Sequence, residues 1–434
     1  MLFHDFKFKE VFNLTVIVAA LGYFVDVYDL VVFLIVGIKS LKDLLPGIKD
    51  NDELLISNFQ YILNVQMIGM LIGGIFWGII GDKQGRLSVL FGSIILYSLA
   101  NIGNGLLAHL HADEETTLRA YAVLRLIAGI GLAGELGAGI TLVAEVMSKE
   151  TRGYGTMVVA SIGVLGAVAA SLVGKFIGWE LTYYIGGGLG FSLLLLRVGV
   201  LESGIFKNLK DKHVSRGDFR MLFSDKKRAW RYINCILIGL PVWYIIGILI
   251  GRAPMIASKV LHVDGKIEPE ICVMLCYIGL AFGDIASGAL SQILRSRKKV
   301  FLIFYGLCAI SITIYLNLYG VSANVFYSLI LLLGFSVGFW AILVTVGSEQ
   351  FGTNIRATTA TTVPNFVRGS LVPISFLFDS LYGYFKLNTT FEPLIATVVV
   401  VTVVVMLISS VALYFLDETF GRDLNYIEEN KKTS

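Results

Sequence analysis

Apolar runs of about twenty residues recur along the whole chain, divided by short polar stretches. They lie at about 14–37, 54–80, 87–108, 119–146, 156–178, 181–201, 232–252, 270–294, 299–318, 324–346, 359–384 and 393–416. Each is long enough to cross a hydrocarbon layer of roughly 30 Å as a helix. A segment in lipid must satisfy its own backbone hydrogen bonds, and a helix does so without neighbours. The pattern therefore predicts an all-α membrane protein with twelve transmembrane helices.

The composition agrees. Of 434 residues, 56% are hydrophobic and 15% charged, against roughly 25% charged in soluble domains. The formal charge of +3 says little, but its distribution orients the chain. With the N-terminus in the cytoplasm, the inner segments carry 23 Lys and Arg and the outer loops 9, a bias that places both termini inside. Nine of the 23 lie in the loop 202–231. That loop reads as a cytoplasmic linker between an N-terminal six-helix bundle, 1–201, and a C-terminal one, 232–434. The positive-inside bias explains its charge more simply than nucleic acid does, so no nucleic-acid partner is expected. The opening "MLFHDFKFKE" runs into the first span without a cleavage-site pattern, and a removable signal peptide is not expected. Cys235, Cys272, Cys276 and Cys308 fall within spans and read as packing residues.

The halves carry related segments, as expected of a transporter built from repeats. "AEVMSKETRGYGT" at 144–156 and "SEQFGTNIRATTA" at 348–360 each end an apolar span with a Glu and place an Arg seven residues later. The pairs are Glu145 with Arg152 and Glu349 with Arg356, 204 residues apart. "GIIGDKQGR" at 78–86 has a weaker counterpart in "GALSQILRSRKK" at 288–299, where Gln292 replaces Asp82. All of these charges sit at cytoplasmic helix ends. Ion pairs there can close one face of a two-bundle protein and part when the bundles rock. The expected cytoplasmic gate is Asp82, Arg86, Glu145, Arg152, Glu202, Glu349 and Arg356.

These motifs resemble the major facilitator superfamily. "GDKQGR" at 81–86 is similar to its signature after the second helix, and "RLIAGIGLAGELGAG" at 125–139 to its fourth-helix signature. "AEVMSKETRG", "LESGIF" at 201–206 and "DETFGRDL" at 417–424 resemble motifs of its sugar porters, phosphate:proton symporters and metabolite:proton symporters. The resemblance implies two pseudo-symmetric six-helix bundles and transport by alternating access. "DVYDL", holding Asp26 and Asp29, resembles the first helix of phosphate and aromatic-acid proton symporters, and "AGELGAG" puts Glu135 at an acidic position of phosphate and metabolite symporters. Leu136 stands where those carry Tyr, and Leu201 and Asp417 stand where the porter motifs carry Pro. These departures argue against phosphate and hexose. In such symporters the matching first-helix Asp and fourth-helix Arg, here Arg125, are associated with proton coupling.

The residues themselves pose the same problem. A carboxylate at mid-helix costs roughly 2.5–3.5 kcal/mol on insertion, and Asp26 and Asp29 lie three residues apart, on one part of the helix surface. That face will not sit against lipid; it should line a cavity. At 1.5 Å per residue, Asp29 and Arg125 fall at similar depths, roughly 6–8 Å from the outer edge. An aspartate beside an arginine is ionised; with the arginine withdrawn, desolvation favours its protonated form. The alternatives are a fixed structural bridge and direct substrate contact. Glu135 lies deeper on the fourth helix, as a second proton site or a substrate contact. Arg368 falls near the midplane of the eleventh span, and Asp379 is about 16 Å along that helix, too far to pair with it. Its partner is either Asp284 in the eighth span or an anionic substrate. Trp243 and Tyr244 could wall such a site or pack elsewhere. Gly69, Gly73, Gly74, Gly78, Gly334 and Gly338 are spacers for close helix contact, and His109 and His111 flank a short external loop.

The expected function is a proton-coupled symporter of a small polar, anionic metabolite. It works in the lipid bilayer of a bacterial inner membrane, as a monomer, with protons as the coupling ion and no cofactor. An antiport exporter of a drug, siderophore or waste metabolite is the alternative. A receptor or intramembrane enzyme is disfavoured, because no nucleotide, cofactor, metal or nucleophile motif appears.

Overall fold

The computed structural model describes residues 13–48, 52–137, 139, 143, 152–202, 219–352, 354–421 and 428. Among the described residues, eleven helices are long and apolar enough to cross a membrane. Helix α1 is Leu14–Leu44, α2 Asp52–Gln84, α3 Arg86–Leu106 and α4 Glu114–Leu132. Next come α5 Arg152–Val164, α6 Gly166–Phe176 and α7 Trp179–Glu202. The second half holds α8 Lys226–Leu237, α9 Leu240–Trp243, a π-helix Tyr244–Ile250, α10 Ala253–Lys259, α11 Pro269–Leu294 and α12 Arg297–Asn317. It closes with α13 Ala323–Ser336, α14 Trp340–Glu349, α15 Arg356–Gly369, α16 Leu371–Asn388 and α17 Pro393–Phe415.

Local chemistry sets the helix starts. The Asn13 side chain accepts from the Val16 amide, and Asp113 accepts from the Thr116 amide at 3.0 Å. Such caps satisfy amides that have no partner in the helix, and each contributes about 1 kcal/mol. Glu114 and Glu115 follow Asp113 in the first turn of α4, where the helix dipole favours negative charge. Val403, Leu407 and Val411 of α17 point outward, as do Leu195 of α7 and Phe282 of α11. That apolar exterior suits contact with lipid.

Close helix pairs use glycine where backbones meet, and the two halves use it alike. A Cβ on Gly69 of α2 would strike the Leu126 carbonyl of α4, and one on Gly129 would strike the Gln66 carbonyl. In the second half, Gly279 of α11 meets the Leu331 carbonyl of α13, and Gly334 meets Cys276. Both pairs are small-residue crossings of the kind that brings lipid-embedded helices together.

The expected span 359–384 is not one helix. It is broken at Ser370 between α15 and α16. The seventh, tenth and fifth expected spans are also interrupted, at Gly239 with the following π-turns, at residues 337–339, and at Leu165. Periodicity in an apolar run reports burial, not continuity, so these breaks leave no mark in the hydropathy pattern.

Between the halves, α15 packs along α2, and α11 packs against α5 and α6. The Asn365 amide donates to the Ala133 carbonyl at 2.7 Å, and the Trp340 indole donates to the Tyr23 hydroxyl at 2.9 Å.

Candidate functional site

The helix breaks converge on one place. Val164 ends α5, Val242 and Trp243 precede the π-helix, Trp340 begins α14, and Arg368 lies one residue from the end of α15. These residues line a cavity with Tyr23, Val27 and Leu30 of α1 and Tyr277 and Leu280 of α11. Broken helices free backbone groups and redirect side chains, which is why they recur where polar ligands bind in membranes. The cavity is small, about 20 Å³, roughly the space of one water. A substrate therefore needs the halves to part further.

Arg368 is the charged residue on the cavity wall. Its guanidinium carbon lies 5.5 Å from the Trp340 ring centroid, and one nitrogen donates to Asn365 Oδ1 at 3.3 Å. Another nitrogen lies 3.7 Å from Asp26 Oδ2. Asp26 thus stands where Asp284 was expected as the protein carboxylate nearest Arg368. Asp284 instead accepts from the Ala341 amide at 3.0 Å and so caps α14, a favourable place for a carboxylate at a helix N-terminus. Asp379, correctly excluded from Arg368 by distance, pairs with Arg252 at 2.8 Å.

The Asp29–Arg125 contact is also different from the expected ion pair. Arg125 donates to the Asp29 main-chain oxygen at 3.3 Å, to Gln66 at 3.2 Å and to Asn101 at 3.3 Å. Its guanidinium lies over Phe33 and Tyr183. The arginine is held by α1, α2, α3, α4 and α7, all from the first half of the chain. Matching depth located the neighbours correctly; depth carries no information about which atom a side chain reaches.

Glu135 is not free. It makes a buried ion pair with Arg197 of α7, and Arg197 also donates to the Leu90 carbonyl at 3.4 Å. Gly22 of α1 packs onto this pair so closely that a Cβ there would collide with both partners. Arg197 was recognisable in the sequence as a charge inside a span. Its position near the C-terminal end of the sixth expected span, at the depth of Glu135, is the signal the sequence offers.

Trp243 lines the cavity, but its neighbour Tyr244 does not. The Tyr244 hydroxyl donates to the Val398 carbonyl at 3.0 Å and lies 2.8 Å from Thr402, both on α17. Those bonds commit the Tyr244 side chain to α17, while Val242 and Trp243 face the cavity. Tyr23, Tyr277 and Trp340 are site aromatics that the sequence reading did not pick out. Tyr23 lies three residues before Asp26 and shares its face.

At the end of the bundle where α14 finishes, Glu349 lies 3.5 Å from Arg297 rather than pairing with Arg356, which donates to the Phe351 carbonyl at 3.2 Å. Arg297 comes from the basic cluster of the weaker repeat. Glu418, in the C-terminal motif, accepts from the Arg297 and Lys298 amides and Ser296 and so anchors the start of α12. Glu145 lies outside the described residues, and of Asp82, Arg86, Arg152 and Glu202 only the backbone is described. At the opposite end, ion pairs join the halves: Lys39 with Glu270, Lys175 with Glu268 at 2.9 Å, and Lys386 with Glu53 at 3.2 Å. The Lys175 ammonium beside it holds the Glu268 carboxyl below its usual range. His109 and His111 are exposed, near that same end.

Buried charges beside a cavity between the halves of an apolar helical bundle are the layout of a membrane transporter. Residues 17–375 match the Major Facilitator Superfamily, and the chain belongs to that family. It is 27% identical over 340 residues to a niacin transporter of Acinetobacter baylyi, covering 68% of this chain and 72% of that one. It is 25% identical over 312 residues to the 3-(3-hydroxy-phenyl)propionate transporter of Escherichia coli, covering 69% and 71%. The proton:xylose symporter XylE, solved with 6-bromo-6-deoxy-D-glucose, shares the fold. Its TM-score is 0.71 at 15% identity, over 96% of this chain and 98% of that one.

Proposed function

We propose that this transporter carries a small aromatic monocarboxylate together with a proton, by alternating access. The observation that carries the reading is Arg368, a buried cation on a cavity wall that also holds Tyr23, Trp243, Tyr277 and Trp340 among aliphatic side chains. A guanidinium presents a planar fork that matches a carboxylate, and aromatic faces suit a flat apolar ring. Niacin and 3-(3-hydroxy-phenyl)propionate, the substrates in the names of two relatives, each combine a carboxylate with an aromatic ring. A sugar fits this wall less well, since the wall offers rings and aliphatic side chains where a polyol needs many hydrogen-bond partners.

The working arrangement is two six-helix bundles, 1–201 and 232–434, joined by the basic linker 202–231. It has twelve membrane crossings, both termini in the cytoplasm of a bacterium, and acts as a monomer. Protons are the coupling ion, with Asp26, Asp29, Arg125 and Glu135 as the candidate groups. The linker-side charges close one face, and the ion pairs of Lys39, Lys175 and Lys386 close the other.

Thermal unfolding of the purified protein tests the substrate class, because a ligand that binds only the folded state raises its melting temperature. Nicotinate and benzoate should stabilise it, while nicotinamide and xylose should leave it unchanged at equal concentration. Equal stabilisation by the neutral amide would remove the carboxylate from the account.

A further inference from the structure

We propose that Asp26, and not Asp29, carries the coupled proton, and that it takes the proton when it yields Arg368 to the carboxylate of the substrate. This rests on the anionic substrate proposed above; the pairing that underlies it can be tested without any substrate.

The first support is where the pairs lie. Asp26 is on α1 and Arg368 on α15, so their contact spans the two halves. Any rocking of the halves, or any ligand entering between them, alters it. Arg125 and Asp29 belong to the same half, and their polar partners Gln66 and Asn101 do too. Rigid-body motion leaves that cluster as it is.

The second support is the looseness of the pair. At 3.7 Å the contact is longer than a hydrogen bond, and neither carboxylate oxygen of Asp26 has a hydrogen-bond partner; the Asp29 oxygens are likewise unbonded, so it is the position between the halves that singles out Asp26. Arg368 Nε is also unbonded. Both groups are fully buried. A committed structural bridge would use these donors and acceptors; here they are left over for a ligand.

The third support is charge. The phenols on the cavity wall, Tyr23 of α1 and Tyr277 of α11, carry no charge at neutral pH. Glu135 is balanced by Arg197, Asp29 lies beside Arg125 within the first half, and one oxygen of Asp284 accepts from the start of α14. Among the described residues, Asp26 and Arg368 thus balance each other. A substrate carboxylate that takes Arg368 adds one negative charge to the enclosure. A proton from solvent on Asp26 restores the balance. When the anion leaves, Arg368 returns to Asp26 and the proton is released. One proton moves with each anion, and no net charge crosses.

Infrared spectroscopy of the full-length purified protein reads the protonated carboxyl directly. Without substrate, Arg368→Gln should gain a buried carboxylic-acid carbonyl band at neutral pH. Adding Asp26→Asn to that variant should remove the band; adding Asp29→Asn should not. Nicotinate added to the wild type should raise the same band and take up one proton per molecule bound, measured with a pH indicator. Asp26→Asn should bind nicotinate about tenfold more tightly with no proton taken up. The inference is overturned if the Arg368→Gln band survives Asp26→Asn or vanishes with Asp29→Asn, or if Asp26→Asn still takes up the proton. Should Arg368→Gln fold poorly, the proton count on Asp26→Asn decides alone. A wild type that ignores nicotinate while the substrate-free bands behave as stated would overturn the substrate reading and leave the Asp26–Arg368 pair standing.

Discussion

Arg368→Gln should weaken binding of an aromatic carboxylate such as nicotinate by roughly 30-fold or more, measured by equilibrium binding to the purified protein. The size follows from removing one member of a buried charge contact, which costs about 2–5 kcal/mol, with each 1.4 kcal/mol a factor of about ten. Stability should respond less than binding does. Loss of the arginine leaves Asp26 buried without its counter-charge, but a carboxylate can accept a proton and become neutral, which limits the penalty. The melting temperature should therefore fall modestly, and Asp26→Asn in the same chain should recover most of the fall. If nicotinate binding is unchanged in Arg368→Gln, the anion does not dock where the cavity suggests.

Glu135→Gln should be the most destabilising of the charge changes. The substitution leaves Arg197 buried beside α1 with no counter-ion, and an arginine cannot shed its charge. Removing one partner of a buried pair costs about 3–5 kcal/mol. Replacing both groups, as Glu135→Gln with Arg197→Met, should return much of it, since two apolar or neutral side chains need no partner. Denaturation of the purified protein in detergent, compared across the two single variants and the double, measures this. A Glu135→Gln variant as stable as wild type would show that water reaches Arg197. The contrast with Arg368 is instructive: the same kind of truncation is expected to damage folding at one site and binding at the other, because one stranded partner can be neutralised and the other cannot.

Much of this arrangement can be read from the sequence. The apolar runs located the helices, and the two aspartates in "DVYDL" pointed to an interior face because lipid would reject them. Arg368 stood out as a cation without a neighbour in its own span. What could not be read is azimuth and contact. Asp26 and Arg368 are separated by most of the chain, and depth along a helix says nothing about which face meets which neighbour. The choice of Asp284 as a protein partner failed for that reason: the helix break after Gly338 supplies an amide that holds Asp284 in place. Tyr244 is a different case. It adjoins Trp243 in the sequence, but its hydroxyl is committed to α17, a contact that only the fold reveals. The breaks at Leu165 and Ser370 are beyond hydropathy altogether, yet they position Val164 and Arg368 at the cavity.

The most direct measurement of the central claim is nicotinate uptake by the reconstituted protein in proteoliposomes, with protein-free vesicles subtracted. An inward acid gradient at zero membrane potential should drive accumulation above the external concentration, and a protonophore should abolish it. A membrane potential of either sign without a proton gradient should drive none, because one proton and one anion cross together. Accumulation that follows the potential, or equilibration that ignores the proton gradient, would contradict the account.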